Sequence, residues 1–367
     1  MTKGFKSAII VIDNGNVNEK GKMGRKMIFN GSRPTIVDVA RRAGVSVMTV
    51  SRVLNNKPDV AEATRQKVLR VIEELGYVAN PAARNLRGAS NLIGLVVRDV
   101  SSSYIGEIIR GIGEAIKKEG CDLILYTTGE RVNLEEHYVS LLSQGLADGL
   151  LIVLPRGLHG YLSVLSRRAF PYVLIDHRDQ GRGVPSVVAA NRQGAYEATH
   201  YLIQLGHRRI GFITGILEFG CARERLEGYK EALAEAGIAF DSALVKEGDF
   251  RQRTGFACAQ ELLRLPDPPT AIFASNDLSA FGAMEAIKDA GLRIPDDISV
   301  LGFDDIPMAS HVHPPLTTVR QPLFEMGYTA THMLLTWLHE GNLAERRKEL
   351  PTQLIVRGSC RQLAAIP

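Results

Sequence analysis

The residues best equipped for chemistry fall into two groups. Near the start, Thr35, Ser46, Thr49, Ser51 and Asn55 carry short side chains that donate hydrogen bonds, and Arg52 follows one turn after Val47 and Met48. Short hydroxyls and amides suit phosphate oxygens, and an arginine fork matches the O6 and N7 edge of guanine. Further on, Asp99, Tyr104, Arg156, Arg225, Phe250, Asn276 and Asp304 lie in or beside segments that follow short apolar runs. Arginine, asparagine and aspartate together donate to and accept from neighbouring hydroxyls, and an aromatic ring covers the apolar face of a sugar. This is binding chemistry rather than bond-making chemistry. The sequence has no GxSxG, Walker lysine or HExxH pattern. His311 and His313 stand as an i,i+2 pair with no cysteine or carboxylate cluster beside them. Neither catalysis, nor a metal, nor a cofactor is expected.

The first group must be held by two short helices. Thr35 with Asp38 makes a capping box, and Ile36, Val39, Ala40 and Ala43 then share one face. Gly44 ends that helix, where a positive φ costs nothing. Ser46 caps a second helix, 47–54, with Val50, Val53 and Leu54 turned inward. Helix, glycine turn and helix form the pattern whose second helix enters the DNA major groove. Charge favours that reading over an inert helical bundle. Residues 32–90 hold ten basic and five acidic side chains, and 1–31 hold six and two, although the whole chain is only +4. The remainder, 91–367, is therefore acidic overall, and the basic charge sits where phosphate would be met.

A third amphipathic run, 62–75, completes the small core with Val68, Leu69, Ile72 and Leu75. Asn80-Pro81 then opens a short segment to Leu86, with proline at the favoured first helical position. Here the chain resembles the lactose-repressor (LacI/GalR) family of bacterial transcription regulators. AGVSVMTVSRVLN matches the family's recognition element and NPAARNL its hinge helix. GHRRIGFITG, SNDLSAFGAMEAI, ISVLGFDDIP and PPLTTVRQP carry the likeness from about residue 33 to the end.

The resemblance implies a specificity pair at Val47 and Met48, and hinge helices from two protomers lying in the minor groove. Asn80 and the small Ala83 belong to that hinge, and Leu86 is the side chain that wedges into a central base step. So short a segment cannot hold helix alone and should fold only on DNA. The resemblance also matches Arg225, Asn276 and Asp304 to polar effector contacts, and Phe250 to a ring that stacks on the ligand. Asp277 reads equally well as a helix cap, Asp305 as support between lobes, and His207 as structural.

From Leu92 the pattern changes to unbroken apolar runs, such as LIGLVV, GLLIVLP and ISVLGF, alternating with amphipathic helices. Runs of this kind suit strands buried on both faces of parallel sheets. About ten alternations predict a doubly wound α/β architecture. About ten strands are many for one sheet and divide naturally near Asn191, so two Rossmann-like lobes around a cleft are expected; the resemblance implies the same bilobal form, which the family shares with periplasmic sugar-binding proteins. The expected layout is a basic tail without structure (1–31), an all-α helix-turn-helix headpiece (32–79), a hinge helix and linker (80–90), and an α/β core (91–367). Lobe 1 is expected over about 91–188 and 320–345, and lobe 2 over about 189–319 and 346–367.

At 367 residues, 45% hydrophobic and 23% charged, the chain reads as globular and multidomain. No apolar run approaches the roughly 20 residues of a membrane span, and Ala8–Ile12 is too short for a secretory core. Four scattered cysteines suggest reduced thiols and a cytoplasmic setting. The expectation is a homodimeric regulator, or a tetramer built from such dimers, most simply a repressor, of double-stranded operator DNA, controlled by a small sugar-like effector, with purine, nucleoside or phosphorylated metabolites as the alternatives. Set beside the resembled family, the sequence stops before the leucine-heptad tail of some tetrameric relatives, so a dimer is the expectation. The competing classes are a sugar-processing enzyme and a plain sugar-binding module on the same fold.

Overall fold

The computed structural model describes residues 9–12, 34–54, 57–75, 91–129, 131–156, 158–177 and 183–363. The chain divides into a helical unit within 13–90 and an α/β unit that holds 1–12 and nearly all of 91–367. Strand β1 (Ile9–Ile12) falls in the stretch expected to be an unstructured tail. Its sequence, IIVI, is β-branched throughout, the composition that favours extended backbone.

In the helical unit, α1 (Ile36–Ala43), α2 (Val47–Leu54) and α3 (Glu62–Leu75) close around Val39, Ala43, Val50, Val53, Val68 and Val71. Leu69, expected inside, is 43% exposed. The three-helix core selects the stripe through Val68 and Val71, which leaves Leu69 on the outer face of α3.

The α/β unit continues with β2 (Leu92–Val97), α4 (Ser103–Glu119), β3 (Asp122–Thr127), α5 (Val132–Leu141), β4 (Gly149–Val153), α6 (Leu158–Arg167), β5 (Tyr172–Ile175) and β6 (Ser186–Ala189). Then follow α7 (Asn191–Gln204), β7 (Ile210–Ile213), α8 (Gly220–Glu235), β8 (Val245–Lys246), α9 (Gln252–Leu263), β9 (Ala271–Ala274), α10 (Asp277–Asp289) and β10 (Ser299–Asp304). The chain ends through β11 (Thr317–Arg320), α11 (Leu323–Glu340), β12 (Arg347–Leu350) and β13 (Gln353–Ile355).

Two sheets result. The first has the order β1-β3-β2-β4-β5-β6-β12 and is parallel throughout, and the second has the order β13-β11-β10-β9-β7-β8. Among the described residues only β13 runs antiparallel, against β11. The central strands are buried on both faces, as their unbroken apolar sequences require. The chain changes sheet after β6, after β11 and after β12, so each lobe is discontinuous in sequence.

One lobe boundary moves. Arg347–Leu350, assigned above to lobe 2, pairs in parallel with β6 and so belongs to the first lobe's sheet. Its sequence, RKEL, is that of an exposed edge strand, and charged edges of this kind discourage pairing with another chain. Helices α4 and α11 meet with glycines at the crossing: a Cβ on Gly327 would overlap the Ile108 carbonyl, and one on Gly111 the Phe324 carbonyl. Gly327→Val should cost about 1–3 kcal/mol or more, because overpacking forces the helix backbones apart. Urea unfolding of the variant beside the parent measures this.

Candidate nucleic-acid interface and ligand cleft

The headpiece presents its chemistry through two helix caps. Thr35 N–H donates to Asp38 Oδ2 at 2.8 Å while Asp38 N–H donates to Thr35 Oγ1 at 3.3 Å, which closes the expected capping box. The Thr35 hydroxyl, which donates to Asp38 Oδ2 at 2.7 Å, and then the Thr35 N–H hold the Asp38 carboxyl below its ordinary pKa. Gly44 takes φ 61° at the turn. Ser46 Oγ accepts from Thr49 N–H at 3.0 Å and lies 2.9 Å from the Thr49 hydroxyl, so both side chains stand at the start of α2.

Val47 and Met48 are 42% and 57% exposed on that first turn. Leaving two apolar side chains in water at a helix N-terminus fits a surface that meets a partner. Ser51 is half-buried, and Arg52, one turn on from Met48, is exposed and paired with Asp59. Asn55 lies outside the described residues, as do Asn80, Ala83 and Leu86 of the expected hinge.

In the α/β unit the ends of β2, β4 and β5 face those of β7, β9 and β10 across a cavity of about 500 Å³. Carboxyl ends of parallel strands are where such folds bind ligands. Asp99, Tyr104, Arg225, Phe250, Asn276 and Asp304, six of the seven expected ligand residues, line it. Arg156 is not among its lining residues. It follows β4 on the first lobe, and its guanidinium reaches Glu218 at 3.8 Å and stacks on the Phe219 ring at 5.4 Å, both from the second lobe.

Arg225 is the centre of the site. It is 2% exposed on the first half of α8, its Nε donates to Asn191 Oδ1 at 2.9 Å, and its Nη1 donates to the Ser275 carbonyl at 2.5 Å. Its guanidinium lies 3.9 Å from the Phe303 ring centroid and 3.6 Å from Asp304 Oδ1. Asn191 in turn donates to Asp176 Oδ1 at 3.2 Å, and the Tyr104 hydroxyl donates to Asp176 Oδ2 at 2.8 Å. A continuous hydrogen-bonded chain therefore runs from Tyr104 in lobe 1 to Arg225 in lobe 2. Burial, then the Asp176 charge, drives the Tyr104 phenol well above its usual pKa, so it serves as a donor.

Phe250 stands on the cavity wall with φ 68°, and a Cβ on Gly215 would overlap its ring. Asn276 caps α10, accepting from Ser279 N–H at 3.0 Å and donating to the Phe250 carbonyl at 3.1 Å. Asn276, not Asp277, is thus the cap. The fully buried Asp277 accepts from Ile306 N–H at 2.8 Å and from the Thr318 hydroxyl at 2.5 Å, which fixes the loop after β10. Asp305 holds Arg320 at 2.7 Å and Arg357 at 2.6 Å within the second lobe. His207 is buried, its ring nitrogens 2.9 Å and 3.1 Å from the Thr270 and Ser299 hydroxyls, as a structural histidine should be.

Four of the seven described non-glycine residues with positive φ (Leu154, Asp176, Phe250 and Asp304) line the cavity. Strain concentrated in one cleft is the pattern of a built site. Asp176, Phe219, Cys221 and Asn191 went unassigned above, although Asp176 ends the YVLID run and Asn191 marks the lobe division.

Burial pushes the Asp304 carboxyl up to about 7, against the pull of Arg225 and the Gln321 amide. The folded state thus binds this proton more tightly than the unfolded chain. The stability it contributes is fully present below about pH 4 and is lost as pH rises through about 7. Asp304→Asn should remove that slope, so the difference in unfolding free energy between parent and variant should change between pH 5 and pH 8.

A helix-turn-helix headpiece joined to a bilobal, strand-end ligand cleft defines a ligand-responsive DNA-binding regulator. The model of the bacterial regulatory proteins of the lacI family matches residues 35–80, and that of a periplasmic binding protein-like domain matches 199–360. The HTH-type transcriptional repressor PurR of Photobacterium profundum is 36% identical over 331 residues, 90% of this chain and 99% of that one. Among solved structures, the transcriptional regulator CelR in complex with cellobiose is 35% identical, covering 89% of this chain and 100% of that chain at a TM-score of 0.68. The lac repressor dimer bound to operator and the anti-inducer ONPF is 30% identical, covering 90% and 100% at a TM-score of 0.74. The chain belongs to the lacI family of bacterial regulatory proteins: it is a DNA-binding transcription regulator and not an enzyme. Among the described residues no helix is long and apolar enough to cross a membrane.

Proposed function

We propose that this protein is a homodimeric, cytoplasmic repressor that binds a pseudo-palindromic operator and is controlled by a small carbohydrate held between the lobes of its core. The observation that carries the ligand reading is the composition of the cleft. Asp99, Arg225 and Asp304 place charged donors and acceptors against Tyr104, Phe219 and Phe250 in about 500 Å³. That pairing of hydroxyl-binding groups with aromatic faces suits one or two sugar rings. The complex of CelR with cellobiose supports it, and the operator-bound lac repressor dimer supports the assembly.

Thr35, Ser46, Thr49, Ser51 and Asn55 would position the headpiece on phosphates, while Val47, Met48 and Arg52 read base edges. Asn80, Ala83 and Leu86 would form the minor-groove hinge. The ligand acts through its different affinity for two lobe arrangements. Arg156, which reaches the second lobe, and the Tyr104–Asp176–Asn191–Arg225 chain would report the change.

Calorimetric titration of the purified protein with cellobiose, ribose and a nucleoside tests this. Saturable binding of a sugar that is lost in Asp304→Ala supports the reading. Binding of the nucleoside alone overturns the carbohydrate assignment.

A further inference from the structure

Asp59 is paired with Arg52 of α2, and we propose that it is a positioning residue for base recognition: it holds the Arg52 guanidinium in one orientation on the recognition helix. This inference rests on the reading of Arg52 as a base contact.

Arg52 and Asp59 are joined through Nη2 and Oδ2, their side chains 47% and 48% exposed. An ion pair this exposed adds little to stability, so fold maintenance does not account for it. Its placement is nonetheless fixed. Lys57 N–H donates to the Arg52 carbonyl at 3.0 Å, and Arg65 Nη2 donates to the Lys57 carbonyl at 2.5 Å. The turn that carries Asp59 is therefore tied both to the backbone of Arg52 and to α3.

The other described acids of the headpiece have different duties. Asp38 caps α1 and pairs with Arg41, Glu62 pairs with Arg65 in the first turn of α3, and Glu73 and Glu74 stand in its last turn. Asp59 is the one that meets α2.

A carboxylate on the DNA side of a basic module works against phosphate binding. It compensates when it restricts a flexible side chain. Arginine presents its five N–H donors in a rigid fork, so engaging one nitrogen with a carboxylate leaves a second edge for guanine O6 and N7. The rotamer freedom that DNA binding would otherwise remove is already reduced in the free protein, which sharpens discrimination more than it raises overall affinity.

Two opposed effects follow from replacing Asp59 with asparagine, which keeps the size of the side chain. Loss of a negative charge should tighten binding to random-sequence duplex by about two- to fivefold. Loss of the buttress should lower discrimination at the base pair read by Arg52 by about five- to tenfold.

The experiment uses the full-length protein and an operator obtained by selection, with every single-base variant titrated against the parent, Arg52→Ala, Asp59→Asn and Asp59→Glu. Arg52→Ala should flatten the preference at one base pair in each half-site. Asp59→Asn should flatten that same base pair while retaining or raising random-sequence binding, which also shows the headpiece to be folded. Asp59→Glu should restore part of the preference.

If Arg52→Ala alters no base preference, the reading of Arg52 fails. If it does, and Asp59→Asn leaves that preference intact or strengthens all sequences alike, Asp59 is only a repulsive charge and the inference alone is overturned.

Discussion

Arg225→Met should give a protein that binds operator DNA but no longer responds to its ligand, with a native core destabilised by about 3–5 kcal/mol. The arginine is 2% exposed and Asp304 5%, so neither charge has water to replace a lost partner. Removing the guanidinium takes the donor from the Asn191 side-chain oxygen and from the Ser275 carbonyl, and it takes the opposite charge 3.6 Å from Asp304 Oδ1, which keeps only the Gln321 amide at 2.7 Å. Methionine fills much of the volume, so the loss isolates the polar function from cavity formation. It also severs the chain from Tyr104 to Arg225, which removes a proposed ligand contact and one of the links between the lobes, that through Arg156 remaining. Chemical unfolding and ligand titration on one preparation measure the two effects separately. An unchanged ligand response would remove Arg225 from the site.

The second large effect is expected at a residue with no side chain. Gly215 ends the IGFITG run, and any Cβ there would enter the space of the Phe250 ring. Gly215→Val should swing Phe250 off the cavity wall and weaken ligand binding roughly ten- to hundredfold, the scale of about 1–3 kcal/mol of overpacking and lost stacking. DNA binding by the headpiece should persist, since its core of Val39, Val50 and Val68 is a separate unit. The result would be a regulator deaf to its effector. Phe250→Ala should give a similar ligand defect without the steric cause, so agreement between the two variants ties the glycine to the ring.

The two halves of the site were legible to different degrees, for physical reasons. The headpiece follows from local rules: Thr35 and Asp38 are three residues apart, Gly44 marks its turn by its own conformation, and Ser46 caps from an adjacent position. The cavity-lining residues were legible where each follows an apolar run, because strand ends are where parallel sheets open. Asp176 and Asn191 were not, since their roles arise from partners 72 and 34 residues away in Tyr104 and Arg225. Arg156 follows its strand as expected, yet its guanidinium is drawn to Glu218 and Phe219 rather than to the cavity wall. Strand β12 carries no apolar signature because an exposed edge needs none. Leu69 shows the limit of helical periodicity: α3 offers two adjacent apolar stripes, and only packing against α1 and α2 chooses between them.

The lobes' discontinuity was readable in outline from the late helix and strand that return across the division. The exact crossing was not, because β12 joins the first sheet by backbone pairing with β6 rather than by side-chain pattern.

The proposed function makes this protein a sequence-specific DNA reader governed by a small ligand in the interlobe cleft. Selection of bound sequences from a random DNA pool, with and without a panel of sugars, tests it most directly. The expected result is enrichment of a palindrome with a deformable central step, and one sugar that abolishes the enrichment or is required for it. Enrichment of no sequence under any condition would contradict the account.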